Sequence, residues 1–149
     1  MPNTNSAPVD VRGPRFTAWV TTVVLVGVLL ISGFSPVGAA ALLAAQAVVF
    51  AIGALAGPRR NPYGVLFAQL VAPRLSPVTE REPVAPLRFA QLVGLIFAVV
   101  GVAGFATTPM VGLAATALAL TAAFLNAAFG ICLGCQLYPL VVRLRATAA

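Results

Sequence analysis

The 149-residue chain contains no lysine and no histidine, and its only acids are Asp10, Glu80 and Glu82. Charged residues make up 8% of it and apolar residues 60%, too little polar surface for a water-soluble domain. A serine, histidine and acid constellation is absent, and so is a phosphate-binding glycine loop. The formal charge of +6 would suggest nucleic-acid binding in a soluble protein, but its distribution points elsewhere.

All nine arginines and three acids lie in three segments: up to Arg15, from Arg59 to Arg88, and at Arg143 and Arg145. Between them are four uncharged spans, Phe16 to Ser35, Gly38 to Gly57, Phe89 to Thr107 and Met110 to Ile131. Each approaches the roughly 20 residues that a helix needs to cross a bilayer. Pro36 and Thr108-Pro109 interrupt the runs, so the spans pair into two tight helical hairpins. The expected fold is an all-α integral membrane domain over residues 11–145, flanked by a disordered tail, 1–10, and a short tail, 146–149. With no intramembrane charge, an ion-coupled transporter or proton relay is disfavoured.

Orientation follows from the arginines, because short cytoplasmic loops retain positive charge. Arg12, Arg15, Arg59, Arg60 and Arg143 are read as topology signals that place both ends and the 58–88 loop in the cytoplasm. The first apolar run is of full span length and is read as the first helix, not a cleaved signal peptide. After the second span, Asn61 is a good N-cap and Pro62 suits the first helical position, so a short juxtamembrane helix starts there. Pro77, Pro83 and Pro86 make the following stretch, Leu75 to Leu87, a stiff extended linker.

Comparison of the two halves suggests an internal repeat. Arg15-Phe16 opens the first span and Arg88-Phe89 the third; Asn61-Pro62-Tyr63-Gly64 follows the second span where Ile131-Cys132-Leu133-Gly134 follows the fourth, with Gly64 matching Gly134. Both hairpins enter from the same side, so the repeats are expected to be parallel, with the two elements facing each other at one end of the bundle.

Cys132-Leu133-Gly134-Cys135 holds the only two cysteines. Such a pair serves reversible disulfide chemistry, soft-metal ligation or neither. Gly130, Gly134 and Pro139 make this the stretch of the fourth span most prone to leave regular helix. Gly130 and Gly134 also form a small-xxx-small pair, and cysteine packs well, so helix packing alone is the competing reading. On the cytoplasmic side the dithiol is expected to rest reduced, which disfavours a structural disulfide. Arg59, Arg60 or Arg143 near the thiols would favour the thiolate. Two thiolates without histidine make a poor metal site that only copper(I) would occupy, so no metal and no cofactor are assigned. Gln46 and Asn126 are polar residues inside spans, for which interhelical hydrogen bonding is the simpler account and a substrate role the alternative.

Taken together, Asp10-x-Arg12-Gly13-Pro14-Arg15-Phe16, Asn61-Pro62-Tyr63-Gly64, Pro73-Arg74-Leu75, Arg88-Phe89-Ala90-Gln91 and Leu125-Asn126-Ala127 running into Phe129-Gly130-x-Cys132-Leu133-Gly134-Cys135 resemble a bacterial membrane family catalogued as a domain of unknown function, number four-three-nine-five. The resemblance spans about Asp10 to Arg143. It implies a bacterial plasma-membrane location, and neighbours that in actinobacteria include thioredoxin-like and rhodanese-type sulfurtransferase proteins. Relatives often carry an acid after the second cysteine, where this chain has Gln136, so no mechanism needing a carboxylate there is expected.

Three functions compete at this point. A membrane thiol protein would exchange electrons or sulfane sulfur with a thioredoxin-like or sulfurtransferase partner through Cys132 and Cys135. A scaffold would bind its partner through the arginine-rich middle segment. A carrier for a sulfur compound or another small solute would show a cavity lined by Gln46 and Asn126. Quinone-linked disulfide enzymes are also four-helix bundles with Cys-x-x-Cys, but they serve exported proteins and need thiols reachable from the outer side.

Overall fold

Prolines in the first turn of each hairpin's second helix set both hairpin turns in the computed structural model, which describes residues 6–148. Helix α1 (Arg12–Ser32) ends at Gly33, and Ser35 then caps α2 (Pro36–Ala56), its Oγ accepting the Gly38 N–H at 3.0 Å with Pro36 in the first turn. The second hairpin has Thr108 and Pro109 between α4 (Val84–Thr107) and α5 (Pro109–Phe129); the proline again sits in the first turn, but the Thr108 side chain makes no cap bond. These four helices are long and apolar enough to cross a membrane, and the chain is a multi-pass all-α membrane protein. Phe34 and Val37, at the first turn, are 80% and 81% exposed, as expected of side chains that meet lipid.

Within the bundle α2 packs most extensively on α4, and α1 on α5. Glycines permit the closest approach: Gly94 and Gly101, two turns apart on α4, receive the Phe50 ring and the Leu43 methyls of α2, and a Cβ at either would stand 2.6–2.7 Å from those atoms. Leu25, Val28, Leu43, Phe50, Ala98, Phe105 and Ala119 make the central core. Thus α1 and α4 hold equivalent places, as do α2 and α5, and the expected parallel repeat is visible in the packing.

The symmetry extends to the chain that follows each hairpin. Gly57 (φ 91°) ends α2 and Gly130 (φ 70°) ends α5; these are the two positive-φ residues among those described, a conformation that favours glycine. Each is followed within a few residues by a new helix: α3 (Pro62–Leu66), prolonged by a π turn at Phe67–Val71 and a 3₁₀ turn at Ala72–Arg74, and α6 (Leu133–Ala148). The ring pair Phe16 with Phe67 at 5.7 Å corresponds to Phe89 with Tyr138 at 5.9 Å.

Several expected boundaries shift. The third span starts five residues early at Val84, and the linker before it contributes strand β2 (Arg81–Glu82). That strand pairs antiparallel with β1 (Val9–Asp10), so the expected N-terminal disorder does not reach Val9 and Asp10; residues 1–5 lie outside the described residues. Arg12 locks this clasp through a 2.8 Å ion pair with Asp10 and a 3.0 Å bond to the Ser76 carbonyl, and Arg59 donates to the carbonyls of Ala7 and Pro8. The expected short tail at 146–149 is instead, to Ala148, the exposed last turn of α6.

Candidate functional site

The cysteines owe their geometry to Gly130. Its left-handed backbone stops α5, Ile131 and Cys132 are not helical, and α6 begins at Leu133. Cys132 and Cys135 therefore straddle the first turn of α6 with Cα atoms 5.2 Å apart, inside the range that a disulfide spans, and they are joined by one. A reduced dithiol was expected at rest; the structure holds the pair closed, at a helix start rather than within a continuous helix. The Cys135 N–H donates to Cys132 Sγ at 3.2 Å, and the Gln136 N–H to the Cys132 carbonyl at 3.1 Å.

Gly134 sets the depth of this turn. A Cβ there would come within 2.6 Å of the Ala90 Cα, so only glycine allows α6 to lie directly on α4. The neighbouring α4 residue, Gln91, meets the other repeat: Asn61, 1% exposed, donates from Nδ2 to Gln91 Oε1 and to the Val49 carbonyl, both at 3.4 Å. Its Oδ1 accepts the Tyr63 N–H at 3.0 Å and so starts α3, with Pro62 in the first turn. Gly64 abuts the Pro58 carbonyl too closely for a side chain. The Asn-Pro-Tyr-Gly and cysteine elements thus reach α4 at adjacent residues. The Tyr63 hydroxyl donates to Gln46 Oε1 at 2.8 Å, and burial pushes that phenol's pKa up, which keeps the donor protonated.

A cavity of about 330 Å³ runs from Cys132 and Gly134 into the bundle between α1, α4 and α5. Phe50, Phe97 and Leu118 supply apolar wall, and Thr17, Thr21, Gln91 and Asn126 supply polar groups. Asn126 therefore lines the same cavity as Cys132. Gln46 does not line the cavity; it is 1% exposed, bonded to Tyr63, and its Nε2 has no partner among the described residues. The cavity that a carrier was expected to show is only half realised.

The arginines expected beside the thiols are elsewhere. Arg59 holds the N-terminal segment, Arg60 is exposed in the turn after α2, and Arg143 lies two turns further along α6. Arg15 is the arginine that approaches, its guanidinium beside Gly130 and donating to the Ala127 carbonyl at 3.3 Å. Gln91, Thr17 and Thr21 escape sequence reasoning because polar residues near span ends also serve as boundary markers; their sharing one cavity wall depends on the helix pairing. Among the described residues no cluster of three metal-ligating side chains occurs.

The family model described as "Domain of unknown function (DUF4395)" matches residues 9–143, and the chain belongs to that family. No curated protein and no solved structure matches the chain.

Proposed function

We propose that this family member is a membrane thiol–disulfide exchange protein, reduced at Cys132–Cys135 by a cytoplasmic dithiol partner of the thioredoxin-like kind. The observation that carries the reading is the disulfide across the first turn of α6, with the Cys135 N–H on Cys132 Sγ. A thiolate at Cys132 inherits that hydrogen bond and the positive end of the helix, the arrangement that makes a Cys-x-x-Cys pair exchange-active. Seven arginines, Arg12 to Arg88, flank the bundle helices at the end where α5 stops, and the positive-inside rule assigns that end to the cytoplasm.

In the forward step a partner thiolate attacks Cys132 Sγ, the Cys132–Cys135 bond breaks, and Cys135 leaves as a thiolate. The partner's second thiolate then attacks its own mixed-disulfide sulfur and releases Cys132. Two electrons have entered this chain, the partner has become a disulfide, and two protons complete the dithiol. A sulfurtransferase partner would use the same Cys132 thiolate to accept sulfane sulfur once the disulfide is reduced. The paired state of the cysteines favours electron exchange as the primary reading.

Removing the partner's resolving thiol tests this. A reduced thioredoxin whose second active-site cysteine is replaced by serine should open the Cys132–Cys135 disulfide and stay trapped as a mixed disulfide on Cys132, visible as a reducible adduct on non-reducing gels. A strain with both cysteines replaced that retains every phenotype of the wild type would sink the reading.

A further inference from the structure

We propose that the cavity beside Cys132 is a quinone site and that the reduced Cys132/Cys135 dithiol passes its electrons to a quinone bound there; this rests on the exchange reading above. The first observation is the cavity's chemistry. None of its lining residues is charged, so an anionic sulfur compound or nucleotide would lose its hydration without an ionic partner. Gln91 Oε1 accepts from Asn61 and the Thr121 hydroxyl donates to the Ala117 carbonyl, but three other polar groups are uncommitted: Thr21 is 3% exposed, and its hydroxyl, like that of Thr17 and the Asn126 amide, makes no hydrogen bond to any described residue. Thr22, beside them, shows the contrast, since its hydroxyl is spent on the Ala18 carbonyl at 2.7 Å. A buried site with spare donors and apolar walls suits a neutral ring carrying carbonyl acceptors.

Depth is the second observation. From Phe129 back to Leu118 is three turns of α5, so the cavity reaches about 16 Å from the arginine end, roughly half of a hydrocarbon core about 30 Å thick. A ligand there arrives through the lipid more readily than through water. The third observation is continuity, because Cys132 itself lines the cavity. A neutral, lipid-soluble ligand that meets a dithiol and accepts two electrons is, by chemical class, a quinone. The volume of about 330 Å³ lies at the lower end of the roughly 300–1,000 Å³ of small-molecule pockets, and would take the ring while an isoprenoid tail stays outside.

The step balances. Two S–H bonds break and the Cys132–Cys135 bond forms; the two electrons and two protons convert both quinone carbonyls to hydroxyls. The chain would then carry electrons from cytoplasmic thiols into the membrane pool, and no thiol would need to reach the outer side.

The test uses the full chain in lipid nanodiscs, reduced with dithiothreitol, freed of reductant and kept anaerobic. The probe is a fully substituted benzoquinone with a short isoprenoid tail, whose ring offers no hydrogen for thiol addition. The expected result is one quinone reduced per chain, with both cysteines returned to a disulfide by alkylation and mass measurement. Thr21→Val and Asn126→Leu should each weaken the apparent quinone affinity by roughly tenfold, while circular dichroism reports whether they fold. A wild-type dithiol that stays reduced with quinone, or is oxidised no faster than a free Cys-x-x-Cys peptide, overturns the proposal. Reduction by thioredoxin is assayed separately, so a protein that accepts electrons from thioredoxin but gives none to quinone refutes this inference alone. One that reduces quinone after dithiothreitol but ignores thioredoxin refutes only the partner reading.

Discussion

Arg15 and Arg88 cap each other's hairpins. Arg15, at the start of α1, donates to the Ala127 carbonyl in the last turn of α5 at 3.3 Å. Arg88, in the first turns of α4, donates from Nε and Nη2 to the Ala54 and Leu55 carbonyls that end α2, at 2.8 and 2.7 Å. These are carbonyls that a helix end leaves without partners, and a cation there also meets the negative end of the helix dipole. The two arginines hold the halves together across the pseudo-two-fold relation.

Arg88→Gln should therefore lower stability more than Arg15→Gln, by about 1–2 kcal/mol against about 0.5 kcal/mol, since Arg88 makes two short bonds and Arg15 one long one. Denaturant titration in a mild detergent measures both. Equal stabilities would show that the caps are solvated contacts without energetic weight.

Glycine substitutions should separate by position. Gly134→Ala must push α6 off the Ala90 backbone and should cost about 1–3 kcal/mol. Gly27→Ala meets only the Leu42 side chain at 3.6 Å, ordinary contact, and should be neutral or stabilising by up to about 1 kcal/mol. Thermal midpoints of the two variants, compared in the same detergent, check the contrast.

Much of this architecture was legible before any coordinates. Four uncharged runs bounded by arginine, and prolines at Pro36 and Pro109, are sufficient to place four helices within a few residues. The paired openings Arg15-Phe16 and Arg88-Phe89 carried the repeat. What they do in it was hidden, because a cap to another helix depends on which helices pair. Helix α6 was missed for a different reason: Pro139 and the nearby Gln136, Arg143 and Arg145 read as the end of the fourth span, although the helix runs on through the proline to Ala148. The disulfide was disfavoured because a cytoplasmic dithiol is ordinarily held reduced; the geometry that lets it close, one left-handed glycine that ends α5 at Phe129 and turns the cysteines into a helix start, was legible only as a tendency of Gly130 and Gly134 to break the helix.

The Tyr63 and Gln46 pair should behave as a coupled unit. Tyr63→Phe strands Gln46 Oε1 in a site where Nε2 already lacks a partner, and should cost about 1–2 kcal/mol. Adding Gln46→Leu removes the stranded amide, so the double variant should be more stable than the sum of the two single changes implies. A double-mutant cycle on unfolding free energies measures the coupling, and strict additivity would contradict the contact.

Acid should act on the N-terminal clasp through two groups with opposite signs. The Arg12 hydrogen bond holds the Asp10 carboxyl below its ordinary 3.8, so its contribution is present above that value and is lost as pH falls through the lowered one. Burial, with Glu80 nearby, pushes the Glu82 carboxyl above its ordinary 4.5; its contribution is present below that value and is lost as pH rises through the raised one. Carboxyl carbon shifts followed by NMR should therefore give the lower midpoint to Asp10 and the higher to Glu82. Arg12→Gln should move the Asp10 midpoint up.

The central claim is an exchange-active disulfide at the cytoplasmic end of the bundle, and labelling of its thiols with a membrane-impermeant maleimide tests it most directly. Right-side-out and inverted membrane vesicles are labelled before and after brief exposure to reduced thioredoxin. The account predicts labelling of Cys132 and Cys135 only in inverted vesicles and only after reduction. Labelling from the outer side, or no labelling in inverted vesicles after thioredoxin treatment, would contradict it.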